Sequence, residues 1–578
     1  MREFGPATLF FGAFFRISNA QFETLDFLFD LNEKRPEFSP ADRIELNLDE
    51  GTLIGYETTS QVLRGTKYQF FKQIPYAKSP EGSRRFRKPE PIEQFEGGVY
   101  DSVSPGKAIN ACPGYSFGPD ALLPALEDGV ITENCLAMDI YRPARTNKTD
   151  LPIFIWIHGG GLFSGTSAYY HFARLAQEDI IIAAIQYRLG IHGFLSSYSP
   201  DGLTDTPGNF GLLDQQAAIE FVHRNARNLG GDPNKITIGG ESAGAWSVGF
   251  QLLSDKSAGM IKTAISQSGL ATFDMSPQES EYGNMAIKNL CEKTSSMIDS
   301  PLNCSESTEE IVDQFRGLNT TEILKLQLAD QAYDRLKVFD NLAGYNLAND
   351  EITTSKRVRF IPEEDREEVF ENYFRLMSDE PWLNCDDIKN CTAQEYQILA
   401  AKIMGEMAFV LPSFEHALLY SDQSAELKTD QRETSFPIPA AGHAEDLMFM
   451  MDVPNMEVEY DEGSVNLTLW EILHSPSENP YPPKEYMIQM ADIFINHWAS
   501  IIKSGKPESS WNQFTRENMN YVEWTNNDTH ALEVMHSGLP PTIKYMIETY
   551  GPQETSSAFP VSNCILLVLL TLTLSITF

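Results

Sequence analysis

Short, uninterrupted apolar runs that end in glycine-rich turns dominate the hydropathy pattern of this chain. Leu151 to Ile157 (LPIFIWI) is apolar throughout and rich in β-branched and aromatic residues, the pattern of a strand buried on both faces. It empties into His158-Gly159-Gly160-Gly161. A second short strand is predicted at Ile236-Thr237-Ile238, and it leads to Gly240-Glu241-Ser242-Ala243-Gly244. Ala243 to Leu253 then carries no proline and predicts a helix. Further helical runs follow Asp214, carrying His223, and span Met487 to Lys503, carrying His497. Two more apolar runs lie near the ends, at Ala7 to Phe15 and Cys564 to Phe578.

Strand, tight turn and helix are the context in which G-x-S-x-G presents a nucleophile. Small residues on both sides of Ser242 let the backbone turn sharply and push Oγ out over the sheet edge. The helix behind it points backbone N–H groups at any oxyanion forming beside the serine. The three glycines after Leu151 to Ile157 leave their amides free to approach a substrate oxygen, as in an HGGG-type oxyanion loop.

With these two motifs in hand, the chain resembles the type-B carboxylesterases, which include the cholinesterases and the neuroligins. The likeness runs over residues 45–548. Its further markers are Gln73-Ile74-Pro75-Tyr76-Ala77, Glu133-Asn134-Cys135-Leu136, Tyr187-Arg188-Leu189-Gly190 and Gly208-Asn209-Phe210-Gly211-Leu212-Leu213-Asp214-Gln215. Gly231-Asp232-Pro233 and Gln267-Ser268-Gly269 bracket the serine turn. Leu229 stands where the family usually has Phe, and Ala137-Met138 where it has Tyr-Leu. The resemblance implies an α/β-hydrolase fold, with a central, mostly parallel sheet flanked by helices. It also implies a serine hydrolase that cleaves carboxylic esters through an acyl-serine, with Gly160, Gly161 and Ala243 as oxyanion donors and with no metal or organic cofactor.

Chain order in this fold is serine, acid, histidine. Gly442-His443-Ala444-Glu445-Asp446-Leu447-Met448-Phe449 resembles the family segment that carries the catalytic histidine, which makes His443 the general base. The other histidines read as helix-surface or packing residues, His223 and His497 among them. The family places its acid five residues after a glycine that follows an apolar strand. Counting from Gly344 reaches Asn349, which carries no charge. A two-residue insertion gives the role to Glu351, with Asp350 as the alternative.

Charge and cysteine content add compartment and partner. The 44 Lys and Arg against 81 Asp and Glu leave a net charge of −37, which argues against nucleic-acid binding. The partner implied is a small-molecule ester. Cys112 and Cys135 resemble a disulfide common in the family, and Cys291 and Cys304 fall where the family has a second. Cys385 and Cys391 are close enough to close a small third loop, and the seventh cysteine is Cys564. Six cysteines alone allow fifteen pairings, so spacing does not fix the connectivity. Asn147, Asn303, Asn319, Asn390, Asn466 and Asn527 each begin N-x-S/T. Sequons together with spaced cysteines favour an oxidising secretory route.

Residues 1–20 read as a signal peptide, with small residues Ser18-Asn19-Ala20 before Gln21. Residues 549–578 read as a tail that ends in an apolar run of fifteen residues, short of the about twenty a spanning helix needs. Preceded by Ser556-Ser557-Ala558, that run resembles a GPI-attachment signal; a C-terminal membrane anchor and a buried strand are the alternatives. Cholinesterases carry a tryptophan in the first cysteine loop to hold quaternary ammonium. Here the loop between Cys112 and Cys135 has Tyr115 and Phe117 but no Trp, which ranks choline esters below generic esters. A neuroligin-like adhesion protein of the same fold is the rival reading, and the retained Ser242 argues against it.

Overall fold

The computed structural model describes residues 42–59, 67–102, 110–114, 131–144, 148–167, 170, 172–197, 199, 204–269, 282–298, 301–319, 322–323, 366–377, 385, 391, 426–428, 456–460, 463–467, 485–506, 521–526, 531–537, 544–545 and 565–569. In chain order the strands are β1 Arg43–Leu48, β2 Gly51–Thr59, β3 Lys67–Pro75, β4 Val99–Asp101, β5 Ala137–Pro143, β6 Leu151–Ile157, β7 Ile181–Ile185, β8 Gly231–Glu241, β9 Thr263–Gln267, β10 Glu426–Lys428, β11 Met456–Tyr460, β12 Gly463–Leu467, β13 Tyr521–Asn526, β14 Ala531–His536 and β15 Ile565–Leu569. The longer helices are α1 Phe210–Asn225, α2 Ala243–Leu253, α3 Tyr282–Ser295, α4 Thr308–Gly317, α5 Arg366–Leu376 and α6 Glu485–Ser504.

The main sheet runs β1-β2-β3-β5-β7-β6-β8-β9-β15-β10, with β4 paired to β2. Pairs from β1 through β5 to β7 are antiparallel. From β7 onward every pair is parallel, so the strands before the two glycine turns all point the same way. Parallel strands need helical crossovers on both faces, and that demands strands apolar on both sides. β6 meets the demand: all seven of its residues are buried.

Alternation along the strand divides those residues between two cores. Ile153, Ile155 and Ile157 join Ile181, Ala183 and Ile185 of β7 against Phe221 and Val222 of α1 and Trp246 and Phe250 of α2. On the opposite face Phe154 and Trp156 join Ile182 and Ala184 against Phe494, Trp498 and Ile501 of α6. Trp498 meets Phe154 edge to face with ring centroids 5.3 Å apart. Each such side chain removed from water contributes about 1.5–3 kcal/mol, so the two faces together clamp the strand that delivers the glycine loop. His497 is buried in this helix, a packing residue as expected, and His223 is half-buried on α1.

A third core gathers Phe86, Ile191 and Phe210 with Leu290 of α3 and Ile311 and Phe315 of α4. α4 starts with a capping box: Ser307 Oγ accepts from Glu310 N, and the Glu310 side chain accepts from Ser307 N. The three disulfides pair as anticipated, Cys112 with Cys135, Cys291 with Cys304 and Cys385 with Cys391. Part of the C-terminal apolar run takes a place in the main sheet, where β15 pairs parallel with β9 and β10. Among the described residues no helix is long and apolar enough to cross a membrane.

Candidate active site

β8 ends at Glu241 and α2 begins at Ala243, so Ser242 alone makes the turn between sheet and helix. Its backbone sits at φ 56° and ψ −124°, in the positive-φ region that non-glycine residues avoid. Holding a residue there costs about 1–3 kcal/mol, which the surroundings must supply. They do so through the main chain. Ser242 N donates to Gln267 O at 2.8 Å, and Ser242 O accepts from Ala245 N at 2.9 Å and from Trp246 N at 3.1 Å. A side chain at Gly244 would run into the carbonyls of Ile157 and His158, so only glycine lets the helix start this close to β6. Ser242 itself is half-buried between buried neighbours.

The loop after β6 lies directly against this turn. A Cβ at Gly159 would fall 2.7 Å from Glu241 O and Oε2 and 3.0 Å from Ser242 Cβ. Gly160 and Gly161 both have positive φ, 104° and 65°, and Leu162 follows at 63°. The loop's carbonyls are occupied: Gly160 O accepts from Phe163 N at 3.2 Å and Ser164 N at 2.9 Å, and Leu162 O accepts from Gly190 N at 2.9 Å. Its amides are not. Among the described residues, the N–H groups of Gly160 and Gly161 donate to no backbone carbonyl. The Ala243 N–H, at the first position of α2, has no intrahelical acceptor either. Free donors gathered beside a serine on a strained turn can stabilise negative charge that develops on an oxygen bound there.

Two supports hold the loop from below. His158 is buried; its Nδ1 lies 2.8 Å from Gly159 O, and its ring stacks on Tyr187 with centroids 4.5 Å apart. Tyr187 Oη donates to His158 O at 2.8 Å. Burial pushes the His158 pKa down to about 4 and keeps the ring neutral. The unfolded chain, at the ordinary value near 6.5, takes up this proton first. This group therefore lowers stability as pH falls from 6.5 toward 4, by about 3 kcal/mol at the limit. Burial, and then the nearby Glu241 carboxylate, push the Tyr187 hydroxyl up, so it stays a donor.

The second support is ionic. Arg188 Nε and Nη2 donate to the two Asp214 oxygens at 2.7 Å each, and Arg188 N adds a bond at 3.1 Å. Both side chains are buried, and Arg188 Nη1 reaches Arg87 O at 2.8 Å. Removing one partner of such a pair costs about 3–5 kcal/mol because the other charge is left buried. The pair ties α1 to the segment whose Gly190 holds the Leu162 carbonyl.

Ser242 and Ala243 thus lie at the turn, and the loop that carries Gly160 and Gly161 packs against it through Gly159. Glu351, its alternative Asp350, and His443 lie outside the described residues, as do Asn147, Asn390 and Asn527. Asn303 and Asn319 are exposed, and Asn466 lies on β12. Sequence reading gave His158 only a place in the glycine motif and Tyr187 only a place in the family marker. The pairing of the two rings crosses 29 positions and leaves no periodic signal in the chain.

A mixed, mostly parallel sheet carrying a serine elbow beside a glycine loop defines an α/β-hydrolase. The chain belongs to the carboxylesterase family, whose profile matches residues 42–434. It is 32% identical over 340 residues to a juvenile hormone esterase of Tribolium castaneum, covering 58% of this chain and 52% of that protein. It is 36% identical over 264 residues to a medium-chain fatty acyl-CoA hydrolase precursor of Anas platyrhynchos, covering 44% and 46%. It is also 36% identical over 253 residues to an acetylcholinesterase of Leptinotarsa decemlineata, covering 40% and 38%. The matched stretches thus span about half or less of those three relatives.

Proposed function

We propose that the chain is a serine hydrolase that cleaves carboxylic esters through an acyl-serine intermediate. The observation that carries this reading is Ser242 at positive φ, with Gly159 packed against it in a loop whose Gly160 and Gly161 amides donate to no backbone carbonyl among the described residues. His443 takes the Ser242 hydroxyl proton as Oγ bonds to the ester carbonyl carbon. The carbonyl oxygen, now an oxyanion, accepts from Gly160, Gly161 and Ala243 N–H, each such donor being worth about 2.7–4 kcal/mol. Collapse breaks the bond to the alcohol oxygen, which leaves with the proton from His443. A water then gives its proton to His443 and attacks the acyl carbon; collapse breaks the bond to Ser242 Oγ, which takes the proton back from His443 as the acid is released. Glu351 orients His443 and stabilises its charged form, with Asp350 as the alternative. The relatives bear names of ester and acyl-CoA hydrolases, which agrees with chemistry at an acyl carbon.

The absence of a tryptophan between Cys112 and Cys135 sets the expected preference. A desolvated cation–π contact is worth about 2 kcal/mol or more, and this loop lacks its best provider. The purified protein should therefore show a higher kcat/KM for an aryl acetate than for acetylthiocholine. The reverse order would overturn the substrate assignment. No turnover of any ester would overturn the enzyme reading.

The same proposal places the protein in the secretory pathway, which the three disulfides support. N-glycans are assigned to the six sequons, and attachment to the outer cell surface to the apolar C-terminal run. Treating intact cells with phosphatidylinositol-specific phospholipase C should release a glycosylated, active protein. Activity that stays with the membranes contradicts lipid attachment, and a chain that keeps its tail in the sheet predicts activity in the medium before any treatment.

A further inference from the structure

We propose that His158 is a positioning residue which, through its Nδ1–H bond to the Gly159 carbonyl and its seat on Tyr187, aims the Gly160 amide at the substrate oxyanion. The inference rests on the ester-hydrolase reading above and adds a part that the serine, acid and histidine do not supply. A trans peptide is planar, with its C=O and N–H pointing in opposite directions. Whatever holds the Gly159 oxygen therefore sets the direction of the Gly160 N–H. Nothing else in the local sequence does so. Glycine on both sides of that peptide makes the plane free to rotate, and Gly160 already sits at φ 104°, where side chains are rarely found.

The ring is fitted to this task in three ways. Gly159 O can only accept, so the 2.8 Å contact requires the proton on Nδ1. The opposite nitrogen, Nε2, is then a bare acceptor; it is buried and has no hydrogen-bond partner among the described residues. A purely structural aromatic would not need to leave an acceptor stranded, and the sequence keeps it where the Nδ1 donor is required. Tyr187 fixes the remaining degrees of freedom, since it stacks on the ring and its hydroxyl holds His158 O at 2.8 Å. The carbonyls of His158 and Gly159 are thus both restrained, one by Tyr187 and one by the His158 ring. The Gly160 N–H, opposite the held Gly159 oxygen, donates to no backbone carbonyl among the described residues, and Gly159 itself packs against Glu241 and Ser242.

Two substitutions separate the hydrogen bond from the packing. His158→Phe keeps an aromatic ring on Tyr187 and loses the Nδ1 donor. His158→Asn loses the ring and keeps a donor nitrogen at the same reach from Cα. Steady-state kinetics on an aryl ester, and affinity for a trifluoromethyl ketone that mimics the tetrahedral adduct, are measured for each variant. His158→Phe should lower kcat at least tenfold with KM little changed, and weaken the ketone by a similar factor. His158→Asn should recover most of both, whatever the melting temperatures do. If His158→Phe leaves kcat and ketone affinity intact, or if the Asn variant is as impaired as the Phe variant, the positioning role is wrong. Wild-type turnover that disappears in Ser242→Ala, measured alongside, keeps a failure of this clamp distinct from a failure of the hydrolase reading.

Discussion

Ser242→Ala should lower ester turnover on the order of 10⁴-fold or more while leaving the fold in place. The change removes one oxygen from a half-buried side chain that has no hydrogen bond among the described residues, so little stability depends on it. The turn geometry is held by Ser242 N and O, and alanine retains both. What disappears is the oxygen proposed to form the acyl bond. Residual activity from the oxyanion donors and substrate binding should survive above the uncatalysed rate. Glu351→Gln and Asp350→Asn belong in the same assay. The variant with the greater loss identifies the carboxylate that orients His443, and equal, small losses would remove both from the mechanism. A Ser242→Ala protein that still turns over at more than a few per cent of wild type would place the nucleophile elsewhere.

Gly160→Ala is the second large effect expected, with kcat reduced about 10²–10³-fold and KM changed far less. A Cβ at this position runs into the carbonyl of Ser164, and φ at 104° is unfavourable for any side chain. The loop must rotate to admit the methyl group, and rotation redirects the Gly160 N–H, a proposed oxyanion donor. Ground-state binding depends on other contacts, so the loss should fall on the chemical step. Gly259→Ala, where a Cβ meets nothing within 4 Å, is the matched control and should leave kinetics unchanged. Equal effects of the two substitutions on thermal stability, with kcat untouched in both, would remove Gly160 from the reaction.

Much of the site was legible in the chain because its parts are local. Leu151–Ile157 and Ala243–Leu253 have the bounds that apolar continuity and helix-breaker absence imply. Glycine spacing marks the places where backbone must approach backbone, and the structure puts both marked loops against each other. The strand expected at Ile236 to Ile238 is longer, Gly231–Glu241, because strand extent depends on main-chain pairing with β6 and β9 and not only on apolar side chains. Asp232, Pro233 and Asn234 carry no strand signal of their own, although the strand begins at Gly231, opposite Leu151.

Long-range partners were the illegible part. Tyr187 with His158, and Arg188 with Asp214, meet only because β6, β7 and α1 pack together. No periodicity records such pairs. The C-terminal apolar run shows a different limit. Five consecutive residues of it, Ile565–Leu569, serve as a sheet strand, and apolar continuity reads the same for a sheet core as for a bilayer. The two-residue insertion assigned before Glu351 was an inference from counting, and Glu351 lies outside the described residues.

The site of phosphonylation is the decisive measurement. The purified protein is incubated with an organophosphate, digested, and the modified peptide is located by tandem mass spectrometry. A single adduct on Ser242, formed as esterase activity is lost, is the expected result. An adduct on another serine with the same loss of activity, or complete inactivation with Ser242 unmodified, would contradict the serine chemistry assigned here.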